Sequence, residues 1–183
     1  MSYIRWTTFA LLGAIALACF AQAPAKKGTP AVTKKDFGKT ADGHAVELYT
    51  LTNASGMRAD IMTYGGTVVS LWAPDRAGKF GDVILGMDDV AAYEKGTAYF
   101  GALIGRYGNR IGKAQFALEG ATYKLPANDN GNTLHGGTKG FDKRVWTAKP
   151  GEGAALELTY VSKDGEEGFP GTLSAKVVYS LTD

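Results

Sequence analysis

Apolar and polar residues alternate along much of the chain with a period of two. Val46, Leu48 and Thr50 alternate with Glu47 and Tyr49; Met57, Ala59 and Ile61 with Arg58 and Asp60; Leu156, Leu158 and Tyr160 with Glu157 and Thr159. The longest case sets Leu173, Ala175, Val177, Tyr179 and Leu181 against Ser174, Lys176 and Ser180. Successive strand side chains point to opposite faces, so the pattern predicts strands with one face on a core and the other toward water, as antiparallel sheets permit. Turn signals separate the runs: Ala54-Ser-Gly56, Pro74 to Gly78, Glu119-Gly120, Asn128 to Gly131, Lys163-Asp-Gly165 and Pro170-Gly171. Their spacing predicts an all-β fold, a sandwich or a barrel.

Two apolar runs, 67–72 and 82–85, are continuous and predict strands buried on both faces. Only 88–95 reads as helix, two turns at most, with Asp88 or Asp89 as the N-cap. The first residues follow another logic. A lone Arg5 precedes an apolar run over 7–20 and small residues at Ala21, Ala23 and Ala25, which predicts a secretory signal peptide over 1–23. The run is short for a bilayer span, which takes roughly 20 apolar residues. Export to a periplasmic or extracellular location is therefore expected. Cys19 is the only cysteine; with Ala16-Leu17-Ala18 before it, it forms a poor lipoprotein cleavage site, so lipid anchoring is the weaker alternative. Cleavage after this segment leaves a chain without thiols, held by its core. Residues 24–36 are Lys-rich with Pro24 and Pro30 and predict a flexible tether, leaving 37–183 as a single folded unit.

Composition narrows the partners. The 183 residues carry 20 Lys and Arg against 18 Asp and Glu, a formal charge of +2, too little for a phosphate-backbone footprint, so nucleic acid is not expected as a partner. Glycine, at 25, is about twice its average share, which fits a turn-rich β fold.

Three clusters hold residues with chemical potential. Of the two histidines, His44 sits in a turn before a strand and reads as solvent-exposed, while His135 lies in Asn132-Thr-Leu-His-Gly-Gly137, where glycines let backbone come close beside the ring. Gly105-Arg-Tyr-Gly-Asn-Arg-Ile-Gly112 places two guanidinium groups and a carboxamide among glycines. It lacks the Lys-hydroxyl pair of a phosphate loop, but arginine forks and amides suit vicinal sugar hydroxyls or a carboxylate. The competing reading is an arginine that ties two strands to a buried acid, a duty expected of at least one of Arg106 and Arg110. The third cluster, Lys163 to Gly171, contains Glu166 and Glu167; adjacent glutamates on a turning backbone point apart, so it reads as a structural corner that caps a site rather than as an acid/base pair. Trp72, Trp146, Phe141 and the tyrosines offer aromatic faces, for which core packing is the more common use.

Taken in order, Tyr64-Gly-Gly66, Gly81 to Gly86, Tyr99 to Ile111, Asn132 to Gly137, Gly140 to Lys143 with Trp146, and Asp164 to Gly171 resemble the aldose 1-epimerase (galactose mutarotase) family from about residue 36 to 183. The resemblance implies an antiparallel β-sandwich and the interconversion of α and β anomers of hexoses such as galactose and glucose. It implies a small aldohexose as partner, no cofactor and no metal, and leaves the oligomeric state open. Asn109 and Arg110 match the family's sugar-binding pair. His135 matches the histidine of its Leu-His-Gly-Gly motif, near the ring oxygen. Members run to about twice this length, and the catalytic acid histidine, a sugar-binding aspartate and the catalytic glutamate fall beyond residue 183. The expectation is thus an apparently incomplete sandwich, the N-terminal portion of a mutarotase, binding sugar weakly, catalysing little and prone to associate. The alternative is a non-catalytic carbohydrate-binding β-sandwich. A relative acting on hexose 6-phosphates ranks lower, given the export signal and the lack of a basic phosphate pocket, and a purely structural envelope role ranks last.

Overall fold

The computed structural model describes residues 28–96 and 98–183. The signal peptide expected over 1–23, Cys19 included, and the first part of the expected tether lie outside the described residues. Five strands follow one another as an antiparallel meander: β1 (Ala31–Lys39), β2 (Ala45–Thr52), β3 (Arg58–Met62), β4 (Val68–Pro74) and β5 (Phe80–Asp82). After α1 (Val90–Lys95) come β6 (Arg110–Ile111), β7 (Gln115–Leu118), β8 (Ala121–Lys124) and β9 (Thr133–Leu134); β7 pairs with β8 as a hairpin and β6 pairs with β9. A three-stranded antiparallel sheet, β10 (Thr147–Pro150), β11 (Ala155–Ser162) and β12 (Leu173–Ser180), closes the sequence.

The two larger sheets meet through Tyr49, Leu51 and Ile61 of the first and Leu156 and Leu158 of the second, with Phe141, Trp146 and Ala154 between. Val46, Leu48, Met62 and Tyr64 cover the opposite face of the first sheet, where Val90 of α1 packs on them. β2 and β3 therefore bury residues on both faces, not one: the second sheet covers the Tyr49 face that simple alternation assigns to water, and the helix covers the Val46 and Leu48 face. Fully burying each Leu or Ile here contributes roughly 1.5–3 kcal/mol. Asp89 caps α1 by accepting the Ala92 N–H at 2.7 Å, as the sequence pattern predicts.

Three expectations need correction. The tether over 24–36 does not hold for its described part: from Ala31 the chain is β1, paired along its length with β2. Val32 and Phe37 pack against the two core clusters, and Lys34 pairs with Glu47 at 2.6 Å. Lysines on an edge strand discourage pairing with other chains, and that composition looks like a linker in sequence. The run 67–72 is half-buried on β4, with only Thr67 and Ser70 of it buried. The run 82–85 is no buried strand: β5 stops at Asp82, and Val83 and Leu85 are exposed. No helix among the described residues is long and apolar enough to cross a membrane.

Candidate functional site

The adjacent Asn109 and Arg110 are brought to His135, 26 positions beyond Asn109, by the short β6–β9 ladder, in which Arg110 lies opposite Leu134 and Ile111 opposite Thr133. Just past the ladder, Asn109 and His135 face each other. The His135 N–H donates to the Asn109 carbonyl at 3.0 Å, and the Asn109 N–H donates to His135 Nδ1 at 3.0 Å. A backbone N–H can only donate, so Nδ1 is the unprotonated nitrogen and Nε2 carries the ring proton. Both residues adopt left-handed backbone, φ 66° at Asn109 and 52° at His135, which non-glycine residues visit rarely and which recurs at functional sites.

Glycine makes this turn possible. A Cβ at Gly136 (φ +89°) would stand 1.8 Å from the Gly105 carbonyl oxygen, and one at Gly105 would stand 2.3 Å from the Phe141 ring. The loop carrying the arginines is thereby laid directly on the core aromatic cluster, where Phe141 meets Trp146 and Tyr160 edge to face. Asn128 fastens the histidine segment from the other side: its amide donates to the Leu134 and Gly137 carbonyls, and its oxygen accepts the Leu134 N–H.

The two arginines divide the expected duties. Arg106 donates to the Ser162 hydroxyl and to the carbonyls of Ser162, Lys163 and Pro170, all at 2.8–2.9 Å. It is the strand-tying arginine, with backbone carbonyls in place of the buried acid. Arg110 is held only through Nε, which donates to Asp129 Oδ2 at 2.6 Å, and by a long contact from Nη1 to Asn109 Oδ1 at 3.4 Å. Half of its side chain is exposed. Asp129 and Asn128 are the residues that sequence reasoning missed, since Asn128 to Gly131 registers only as a turn. Three polar residues in a row there, more than a turn requires, are the signal available.

Glu166 and Glu167 point apart, as expected. Glu166 accepts from the Tyr160 and Ser162 hydroxyls at 2.6 Å, and burial, with the Glu166 bond next, pushes the Tyr160 hydroxyl up to about 12. Glu167 accepts the Thr138 N–H at 2.7 Å, steadying the segment after His135. Burial raises the pKa of Asp142, opposed by Lys143 at 3.4 Å. Trp146 and Phe141 are core, and Trp72 lies under the Arg58 guanidinium, so none of the three forms a stacking face. His44 is exposed beside Asp42. An open hollow of about 570 Å³ flanks Arg110, walled by Tyr107, Ile111, Phe116 and Phe169. No group of three or more His, Cys, Asp or Glu side chains is placed to hold a metal among the described residues.

Fold and site define an all-β protein in which an imidazole N–H, an exposed carboxamide and a half-free guanidinium are carried on the two segments joined by the β6–β9 ladder. The chain belongs to the aldose 1-epimerase family, whose family model matches residues 47–183. It is 44% identical over 151 residues to the galactose mutarotase of Bos taurus, covering 82% of this chain and 44% of the bovine protein. It is 39% identical over 142 residues to the aldose 1-epimerase of Escherichia coli (strain K12), covering 78% of this chain and 41% of that protein. Among solved structures, the galactose 1-epimerase from Lactobacillus acidophilus NCFM superimposes with a TM-score of 0.72 at 26% identity, over 84% of this chain and 45% of that one. The chain thus spans less than half the length of the relatives it matches.

Proposed function

We propose that this chain carries the aldose-gripping part of a mutarotase, which interconverts the anomers of hexoses such as galactose and glucose. The observation behind this reading is the reciprocal Asn109–His135 pair, which leaves Nε2–H of His135 as a donor of fixed tautomer beside Arg110. Opening a pyranose ring needs a base for the C1 hydroxyl proton and a donor at the ring oxygen. Nε2–H supplies donation toward a ring oxygen that gains negative charge as C1–O5 breaks, and Arg110 and Asn109 fix hydroxyls so that the ring meets it in one orientation.

The base is another matter. Asp129 is engaged by Arg110, Glu166 by two hydroxyls and Glu167 by a backbone N–H, while Asp142 meets Lys143 through Oδ2 and its buried Oδ1 has no hydrogen-bond partner. With three of these carboxylates occupied and Asp142 buried, binding and polarisation are the functions proposed for residues 28–183, and this is also what favours the second reading, a carbohydrate-binding module without turnover. Polarimetry on freshly dissolved α-D-glucose or α-D-galactose separates the two, combined with a titration of backbone amide shifts. Acceleration of mutarotation supports the enzyme, binding without acceleration supports the module, and no shift at Asn109, Arg110 or His135 with either sugar removes both. Export is proposed on the N-terminal apolar pattern alone; signal cleavage in cell fractions tests it.

A further inference from the structure

The His135 ring is hydrogen-bonded on one side only: Nδ1 accepts from Asn109, and Nε2 has no partner among the described residues. Turning the imidazole over would put a carbon where Nδ1 now accepts, and a single neutral hydrogen bond opposes that only modestly. Two other groups bear on the ring, the buried Asp142 carboxylate through its charge and Tyr99 through direct contact. Its centroid lies 4.6 Å from that of the imidazole at an interplanar angle of 67°, the edge-to-face arrangement that aromatic pairs favour. Tyr99 is itself backed by a cation: Lys143 Nζ stands 5.7 Å from the phenol ring centroid. Lys143 is in turn fixed, donating to the Thr138 carbonyl at 3.0 Å and lying 3.4 Å from the buried Asp142 carboxylate. The Tyr99 hydroxyl has no partner among the described residues, so the ring and not the hydroxyl makes this contact.

Resting on the reading of His135 as a donor to the sugar, we infer that Tyr99 is a positioning residue that holds the imidazole in the one flip presenting Nε2–H to the ligand. Lys143 keeps Tyr99 in place through its contact with the phenol ring. Tyr99 thus controls a side chain that it does not itself join by any hydrogen bond.

The test reads the ring itself. Two-bond proton–nitrogen correlation spectra of the 183-residue chain in alkaline buffer report which imidazole nitrogen carries the proton. The wild type and Tyr99→Phe should both show an unprotonated Nδ1 and a protonated Nε2. Tyr99→Leu should move the two nitrogen shifts toward a common average and weaken aldose binding by about 2- to 12-fold, the range an aromatic pair supports. A Tyr99→Leu chain with the wild-type amide spectrum and unaltered imidazole nitrogens overturns the inference. Should that variant fail to fold, Lys143→Gln loosens Tyr99 without removing it; a smaller shift in the same direction supports the inference, and no shift overturns it. A wild-type chain whose resonances ignore added aldose defeats the sugar reading alone, because ring positioning is decided on the nitrogen signature.

Discussion

The two-sheet core and the β6–β9 loop cluster are built on opposite principles. In the core, Leu51, Ile61, Leu156 and Leu158 are essentially inaccessible, and the backbone is regular so that side chains fill the space. In the loop cluster the backbone fills the space. Gly105, Gly136 and Gly140 sit where a Cβ would strike a neighbouring ring or carbonyl, and Asn109 and His135 take left-handed conformations. Backbone packing of this kind leaves the Arg110, Asn109 and His135 side chains uncommitted to the core. One region commits its side chains to the core, and the other keeps them out of it.

Substitutions should separate the two regions, the largest effect coming from the core. Leu158→Ala should cost about 2–5 kcal/mol, read as a lower urea midpoint, because a fully buried leucine leaves a cavity between the sheets. Gly136→Ala should cost about 1–3 kcal/mol from its positive φ and the clash with Gly105, and should erase any amide shift at His135 on adding aldose. If Gly136→Ala binds sugar like the wild type, the claim that close backbone approach shapes the site is wrong. Arg110→Ala inverts the pattern: an exposed ion pair is worth about 0–1 kcal/mol, so stability should barely move, while sugar affinity falls roughly tenfold or more through lost charged hydrogen bonds. Asp129→Ala, which leaves Arg110 unheld, should give a smaller affinity loss in the same direction.

The difference between the regions also explains what was legible in the sequence. Alternation located β2, β3, β11 and β12, and the turn residues fell between strands, because burial writes itself into composition at period two. It misjudged Tyr49, which is buried although it alternates with Leu48, because a second layer packs on that face. It misread β1 as a tether because edge-strand lysines and linker lysines look alike. At the candidate site, Asn109, Arg110 and His135 were singled out by their motifs, and Arg106 was legible as one of two candidates for a structural tie. Asp129, Asn128 and Tyr99 were not. Each acts by lying beside a residue distant in sequence, Asp129 by Arg110 and Tyr99 by His135, and no local pattern encodes that proximity.

The smallest effect concerns buried hydroxyls on the core side. Burial, the leading cause in each case, pushes Tyr49, Tyr64 and Tyr160 from the usual value near 10 up to about 12. Below pH 10 these tyrosines are protonated in both folded and unfolded chains, and their contribution to stability is fully present. Between pH 10 and 12 the unfolded chain releases its protons first and binds fewer than the folded one, so stability falls as pH rises. The melting temperature should therefore decline steadily over that window, with these three hydroxyls ionising as the chain unfolds. Tyr64→Phe isolates one share of this effect. Its hydroxyl has no hydrogen-bond partner among the described residues, so the variant should stay within about 0.5 kcal/mol of the wild type at neutral pH. Above pH 10 it should lose stability less steeply than the wild type. An equally steep decline would mean that the Tyr64 hydroxyl meets solvent in the folded chain, and that this end of the core, next to the candidate site, is open rather than closed.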